Sequence, residues 1–162
     1  MSFLQEILIK ERCPAVKLSE VTVRVSSVIE DNEKMPSAEA EKNETTSVGY
    51  LHIYDDGRAL VTYAESGEGG QITTEILVSG RTVTVSRRGA IESSMRFEEG
   101  VTHKSLYSIP PYRFDAEVRA SLVRSEIYPE KGRIELKYTM KVGGSERSAT
   151  MKIWILPNSS LA

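Results

Sequence analysis

Apolar residues in this chain recur with a period of two, and that period restricts it to strands. Ile134, Leu136, Tyr138, Met140 and Val142 alternate with Arg133, Glu135, Lys137, Thr139 and Lys141. Phe114, Ala116, Val118, Ala120 and Leu122 alternate with Asp115, Glu117, Arg119 and Ser121. Val21, Val23 and Val25 do the same early in the chain, and Ala149, Met151, Ile153 and Ile155 near its end. A helix would space apolar residues three and four apart. Spacing of two puts one face of each strand in a core and leaves the other to water.

Turn residues separate these runs at short intervals. They are Asp55-Asp56-Gly57, Ser66 to Gly70, Ser79-Gly80, Arg88-Gly89, Glu98 to Gly100, Pro110-Pro111, Pro129 to Gly132 and Gly143-Gly144. Glycine supplies positive φ and proline a fixed φ at such corners. This rhythm predicts an all-β chain of roughly ten antiparallel strands, as a meander barrel or a sandwich. No segment reads as the long helical crossover a parallel sheet needs.

The chain has 162 residues, the size of one domain with a core of its own. Lys plus Arg is 21 and Asp plus Glu is 23, a formal charge of −2. That balance argues against a general nucleic-acid binder. The basic groups Arg87, Arg88 and Arg113 would share their end of the domain with an acidic loop that repels phosphate. Cys13 is the single cysteine, which fits a reducing, cytoplasmic setting. The segment MSFLQEILIKERCPAV lacks the basic start of a secretory signal, and no apolar run approaches the ~18 residues of a membrane span. The acceptor patterns at Asn43 and Asn158 carry no weight without secretion.

The expected organisation is an N-terminal segment 1–15, a barrel domain 16–156 and a tail 157–162. In the first segment Phe3, Leu4, Ile7 and Leu8 share a helical face, so it reads as a short helix or as another strand. Residues 30–46, EDNEKMPSAEAEKNETT, are acidic with little to bury and read as a long mobile loop.

If each strand pairs with the next, the connections fall at two ends. Tight turns (Asp55 to Gly57, Ser79-Gly80, Glu98 to Gly100, Tyr128 to Gly132) gather at one. The acidic loop, the 66–70 loop, the Arg88-Gly89 turn, the Pro110-Pro111-Tyr112-Arg113 corner and Gly143-Gly144 gather at the other. Pockets open where loops are long. Strand parity then points Tyr63, Glu65, Arg87 and Tyr107 inward near that end. Glu65 and Arg87 have two readings: an ion pair plugging the barrel, which is the commoner arrangement, or a polar anchor in an apolar pocket. Trp154 has the parity opposite to Ile153 and Ile155 and is expected on the outside.

The stretches GYLHIYDDGRALVTYAE, VTVSRRGAIESSMRFEEG, the Tyr-x-x-Pro corner and EKGRIELKYTMKVGG resemble the YwiB-like family of small bacterial β-barrel proteins. The resemblance runs from about Val21 to Ile155. It implies a closed, up-and-down, calycin-like (lipocalin-type) barrel of 8–10 strands and carries no established activity. Tyr63, Glu65, Arg87, Gly89, Phe97, Gly100, Tyr107, Gly132 and Tyr138 match the family pattern. The chain departs from it at Tyr112-Arg113, where the family has a glycine, and at Val118 and Ala120, where it has threonines. Those departures imply a more apolar or more occluded open end.

Other chemistries find no support. His52 and His103, with Cys13, form no metal spacing. There is no Gly-x-Ser-x-Gly elbow, and Gly67-Glu68-Gly69-Gly70 lacks the Lys-Ser/Thr and the helix of a phosphate loop. Glu98 and Glu99 sit in a turn and are read as solvated. The expectation is a non-enzymatic module without a cofactor, monomeric or homodimeric. Either it binds a small apolar or amphipathic ligand at the loop-rich end, through Tyr63, Glu65, Arg87, Tyr107 and Tyr138 beneath Arg88, Tyr112 and Arg113, or it is a structural or protein-interaction domain with a filled interior. The second is open because a barrel of about eight strands can be filled by side chains alone.

Overall fold

The alternating runs become strands in a computed structural model that describes residues 17–31, 40–67 and 69–158. The ten strands are β1 (Lys17–Asp31), β2 (Glu41–Ile53), β3 (Ala59–Gly67), β4 (Gly70–Ser79) and β5 (Thr82–Gly89), then β6 (Glu92–Phe97), β7 (Thr102–Ile109), β8 (Tyr112–Tyr128), β9 (Lys131–Val142) and β10 (Ser145–Pro157). Each pairs antiparallel with the next, and β1 also pairs with β10, so the sheet closes into a barrel. No helix occurs among the described residues. The expected N-terminal helix or strand lies outside them.

One expectation is corrected. Instead of a loop over all of 30–46, β1 runs to Asp31 and β2 begins at Glu41. Ile29 pairs with Glu41, and the ladder continues to Lys17 with Ile53. Glu41 to Thr46 are exposed throughout, so no burial pattern announces them. Backbone hydrogen bonds to β1 hold this stretch, and they need no apolar side chain. The Arg24 guanidinium donates to the Glu44 carboxylate across the pair, Nε to Oε1 2.6 Å. Residues 32–39 lie outside the described part of the chain.

The core is not uniform along the barrel. In the half nearest the tight turns, Val21, Leu51, Val83, Phe97, Ile134 and Ile153 are essentially inaccessible. Toward the other end the same inward rows become only half-buried, at Val25 and Ile29 on β1 and at Met140 on β9. One half is packed solid and the other is hollow.

Two seams of the barrel are short. β2 and β3 pair only from Gly49–Tyr63 to Ile53–Ala59. Beyond Gly49, β2 stays with β1 while β3 stays with β4. At the second seam β6 and β7 share only Glu92–Ser108 and Ser93–Tyr107. There the 98–101 segment crosses to β8, with Gly100 N donating to Ala120 O at 2.9 Å. The Glu99 carboxylate accepts the Val123 amide at 2.9 Å, beside a bulge between Ala120 and Leu122. Glu98 faces His103 Nε2 at 3.2 Å. The two glutamates read as solvated therefore stitch the sheet where its ladder is interrupted.

Gly49 marks the first seam. A Cβ there would sit 2.3 Å from the Thr62 carbonyl oxygen and 3.0 Å from Tyr63 Cβ. The contact is with backbone, which cannot swing aside. Gly49→Ala should lower stability by about 1–3 kcal/mol, the usual cost of forcing extra atoms into a packed site. In urea unfolding the midpoint should fall with the slope unchanged; an unshifted midpoint would show that β2 and β3 can separate freely here.

Candidate functional site

The hollow half encloses a cavity of about 390 Å³. Its walls differ in character around the barrel. Phe114 from β8, Tyr138, Met140 and Val142 from β9 and Met151 from β10 form an apolar side. Ser27, Asn43, Thr45, Glu65 and Arg87, from β1, β2, β3 and β5, bring the polar groups.

Register explains how residues far apart in sequence arrive together. Pairing links Gly49 to Tyr63, Tyr63 to Thr74, Thr74 to Arg87, Arg87 to Ser93, Ser93 to Tyr107 and Tyr107 to Phe114. These partners form one belt across seven strands. Directly opposed residues in a ladder point to the same face, so the whole belt faces inward. Tyr63, Arg87, Tyr107 and Phe114 of this belt all line the cavity. Glu65 stands two residues nearer the open end on β3. Tyr138 reaches in from β9 with its ring tilted against Phe97, centroids 4.8 Å apart.

Tyr63, Glu65, Arg87, Tyr107 and Tyr138 are thus brought together on the wall of one cavity. The remaining residues expected at the open end divide. Arg88 and Arg113 are exposed and carry the outward parity, so they stand away from the cavity. Tyr112 is exposed at the lip and stacks on Phe114, centroids 6.4 Å apart at 23°. Trp154 lies on the outer face as expected, with the Arg24 guanidinium 5.7 Å above its ring centre.

Asn43 and Thr45 were missed because their segment was read as loop. Ser27 was missed because a polar residue after Val25 looks like the end of the buried run. The Thr45-Thr46 pair, β-branched and opposite Val25 and Arg24, was the available signal.

The expected ion pair is absent. Among the described residues neither Glu65 nor Arg87 has an opposite charge within 4.0 Å. They stand on β3 and β5 with β4 between them. Arg87 Nε is buried without a hydrogen-bond partner.

The tyrosines register this charge. Burial raises the Tyr63 phenol above its ordinary value, the Arg87 charge works against burial, Glu65 adds to the rise, and the Thr74 hydroxyl opposes it. Burial likewise raises Tyr138, with Arg87 again opposing and Tyr107 reinforcing. Arg87 therefore acts on phenols from two separate walls. His52, on the outer face of β2, is held below its usual value by burial. No group of three His, Cys, Asp or Glu among the described residues has the geometry of a metal site.

Residues 23–154 match the model of a domain of unknown function, DUF1934. The chain belongs to that family. It is 28% identical over 126 residues to the uncharacterized β-barrel protein YwiB of Bacillus subtilis (strain 168), covering 78% of this chain and 84% of that one. The crystal structure of the Bacillus subtilis ywiB protein superposes with a TM-score of 0.80 at 24% identity, over 98% of this chain and all of the other. The comparisons establish a YwiB-like family of small bacterial β-barrel proteins and the fold, and they bring no activity with them.

Of the seven tyrosines, Tyr50, Tyr112 and Tyr128 are exposed and Tyr54, Tyr63 and Tyr138 are buried; Tyr63 and Tyr138 line the cavity. A raised folded pKa means that the fold prefers the protonated phenol. The stability this contributes is present below the unfolded value near 10 and is lost as pH climbs above it. Ultraviolet titration should show the Tyr63 and Tyr138 phenols ionising above the ordinary phenol value near 10. Arg87→Met should delay the pair further, because it removes the one charge that favours phenolate; an unchanged titration would place the guanidinium away from both rings.

Proposed function

We propose that this protein is a non-enzymatic binding module that takes a small apolar or amphipathic ligand into the hollow end of its barrel. The observation that carries this reading is the cavity of about 390 Å³. Its size falls in the range of about 300–1,000 Å³ typical of small-molecule sites, and its make-up is also typical, with mostly apolar walls and a few converging polar groups. Closed strands hold those walls, so the site is formed before a ligand arrives and loses little entropy on binding. Up-and-down strand order together with an interior cavity also supports placing the barrel among calycin-like, lipocalin-type folds. The single cysteine supports a reducing, cytoplasmic setting.

Native mass spectrometry of the purified protein should reveal a dissociable small-molecule adduct. Independently, 1-octanol, a neutral amphiphile, should shift the amide signals of Val25, Tyr107, Met140 and Met151 in a saturable titration. Val25→Trp, which fills the cavity from β1, should abolish both effects and leave the thermal midpoint equal or higher. A clean apo mass together with an unperturbed spectrum would overturn the reading in favour of a barrel that acts through its surface.

A further inference from the structure

The polar groups of the cavity are not distributed evenly, and their chemistry selects a ligand. Arg87 projects into the hollow half with a buried Nε–H that has no protein acceptor. Thr74 and Ser93, its neighbours on either side in the inward belt, have buried hydroxyls in the same condition. Buried polar atoms in folded proteins are almost always hydrogen-bonded, so three orphans side by side need an explanation. Tyr107 follows Ser93 in the belt, and Tyr138 faces the cavity from β9.

These groups share a property. A guanidinium only donates hydrogen bonds, and hydroxyls and phenols can donate. The burial-raised phenol of Tyr138 stays protonated and so remains a donor. Glu65 is the acceptor that would ordinarily neutralise Arg87, yet it forms no pair with it and lies on the far side of β4. An anion in the cavity between Arg87 and Tyr107 would have donors close by, with the Glu65 carboxylate on β3 beyond β4. The rest of the wall, Phe114, Met140, Val142 and Met151, is apolar and leads outward toward the exposed ring of Tyr112.

The geometry points to an anion subsite at Arg87: the ligand is an amphiphile with an oxyanion headgroup, a carboxylate, bound by the Arg87 guanidinium with the Tyr107 and Tyr138 hydroxyls, and its apolar body lies along β8–β10 toward the mouth. This inference rests on the barrel being a ligand-binding module, and it adds which end of the ligand goes in and with what charge. Planar, two-pronged pairing to a carboxylate is what guanidinium offers and an ammonium does not.

The test uses octanoate, 1-octanol and octylamine at pH 7, three ligands with one apolar body and different heads. Binding is followed by amide chemical shifts of the full chain. Octanoate should bind the wild type at least about tenfold more tightly than 1-octanol, the effect expected of a charge-assisted hydrogen bond in a partly desolvated site. Arg87→Gln should bring the two affinities together by weakening octanoate far more than 1-octanol, and Arg87→Lys should restore only part of the difference. Glu65→Gln should tighten octanoate. Equal affinity of octanoate and 1-octanol for the wild type would overturn the anion subsite and leave the binding module standing. A preference for octylamine would overturn it in favour of Glu65 as the anchor. Failure of all three to shift the cavity residues would remove the binding module, and the subsite with it. Because the wild-type comparison decides the question alone, the result does not depend on the Arg87 variants folding.

Discussion

Strand β1 is the constraint on which the rest of this structure depends. A sheet becomes a barrel only when its first and last strands meet, and here β1 meets β10 from Val21–Pro157 to Asp31–Arg147. On its other edge it holds β2 from Lys17 to Ile29. A flat ten-stranded sheet would carry two open edges, each a template for pairing with another chain. Closure through β1 removes both edges. With the strands held side by side, one inward register row runs across seven of them, from Gly49 on β2 to Phe114 on β8.

The contrast between the two halves of the barrel follows from what fills those rows. Branched aliphatic residues and Phe97 occupy the half near the tight turns and leave no room. In the other half, the inward rows carry Arg87, Glu65, Ser27 and Asn43. Charged and polar groups cannot be packed solid against hydrocarbon without a large desolvation cost. The cavity is thus tied to the polar residues around it: a row holding an unpaired guanidinium must remain open to water or to a polar ligand. The family comparison establishes the architecture and leaves the activity to be derived from this site, because a shared barrel by itself specifies no function.

The seams show how the fold tolerates interruptions. Where β6 leaves β7, the Glu99 carboxylate and the Gly100 amide take over the hydrogen bonds that a ladder would supply. Where β2 leaves β3, the bare Cα of Gly49 lets the backbones approach closely before they part. The β2–β3 seam borders the polar side of the cavity, since Thr45 and Glu65 stand on the strands that separate there. Interruption of the sheet and placement of polar groups coincide at one corner of the hollow half.

Period-two alternation was enough to read the ten strands, their antiparallel order and the inward parity of Tyr63, Glu65, Arg87 and Tyr107, because side-chain direction in a strand is a local property. The exposed first half of β2 was not legible, since a strand held by backbone hydrogen bonds alone leaves no apolar pattern. Nor could the sequence say whether Glu65 and Arg87 meet. Parity sets which face a residue occupies, but the distance between two residues on that face depends on the strands that intervene. Tertiary structure decided the register, in which Thr74 and Ser93 flank Arg87 and no carboxylate among the described residues pairs with it. It thereby turned an expected ion pair into an unpaired cation inside a cavity, for the physical reason that register and closure are properties of the whole sheet.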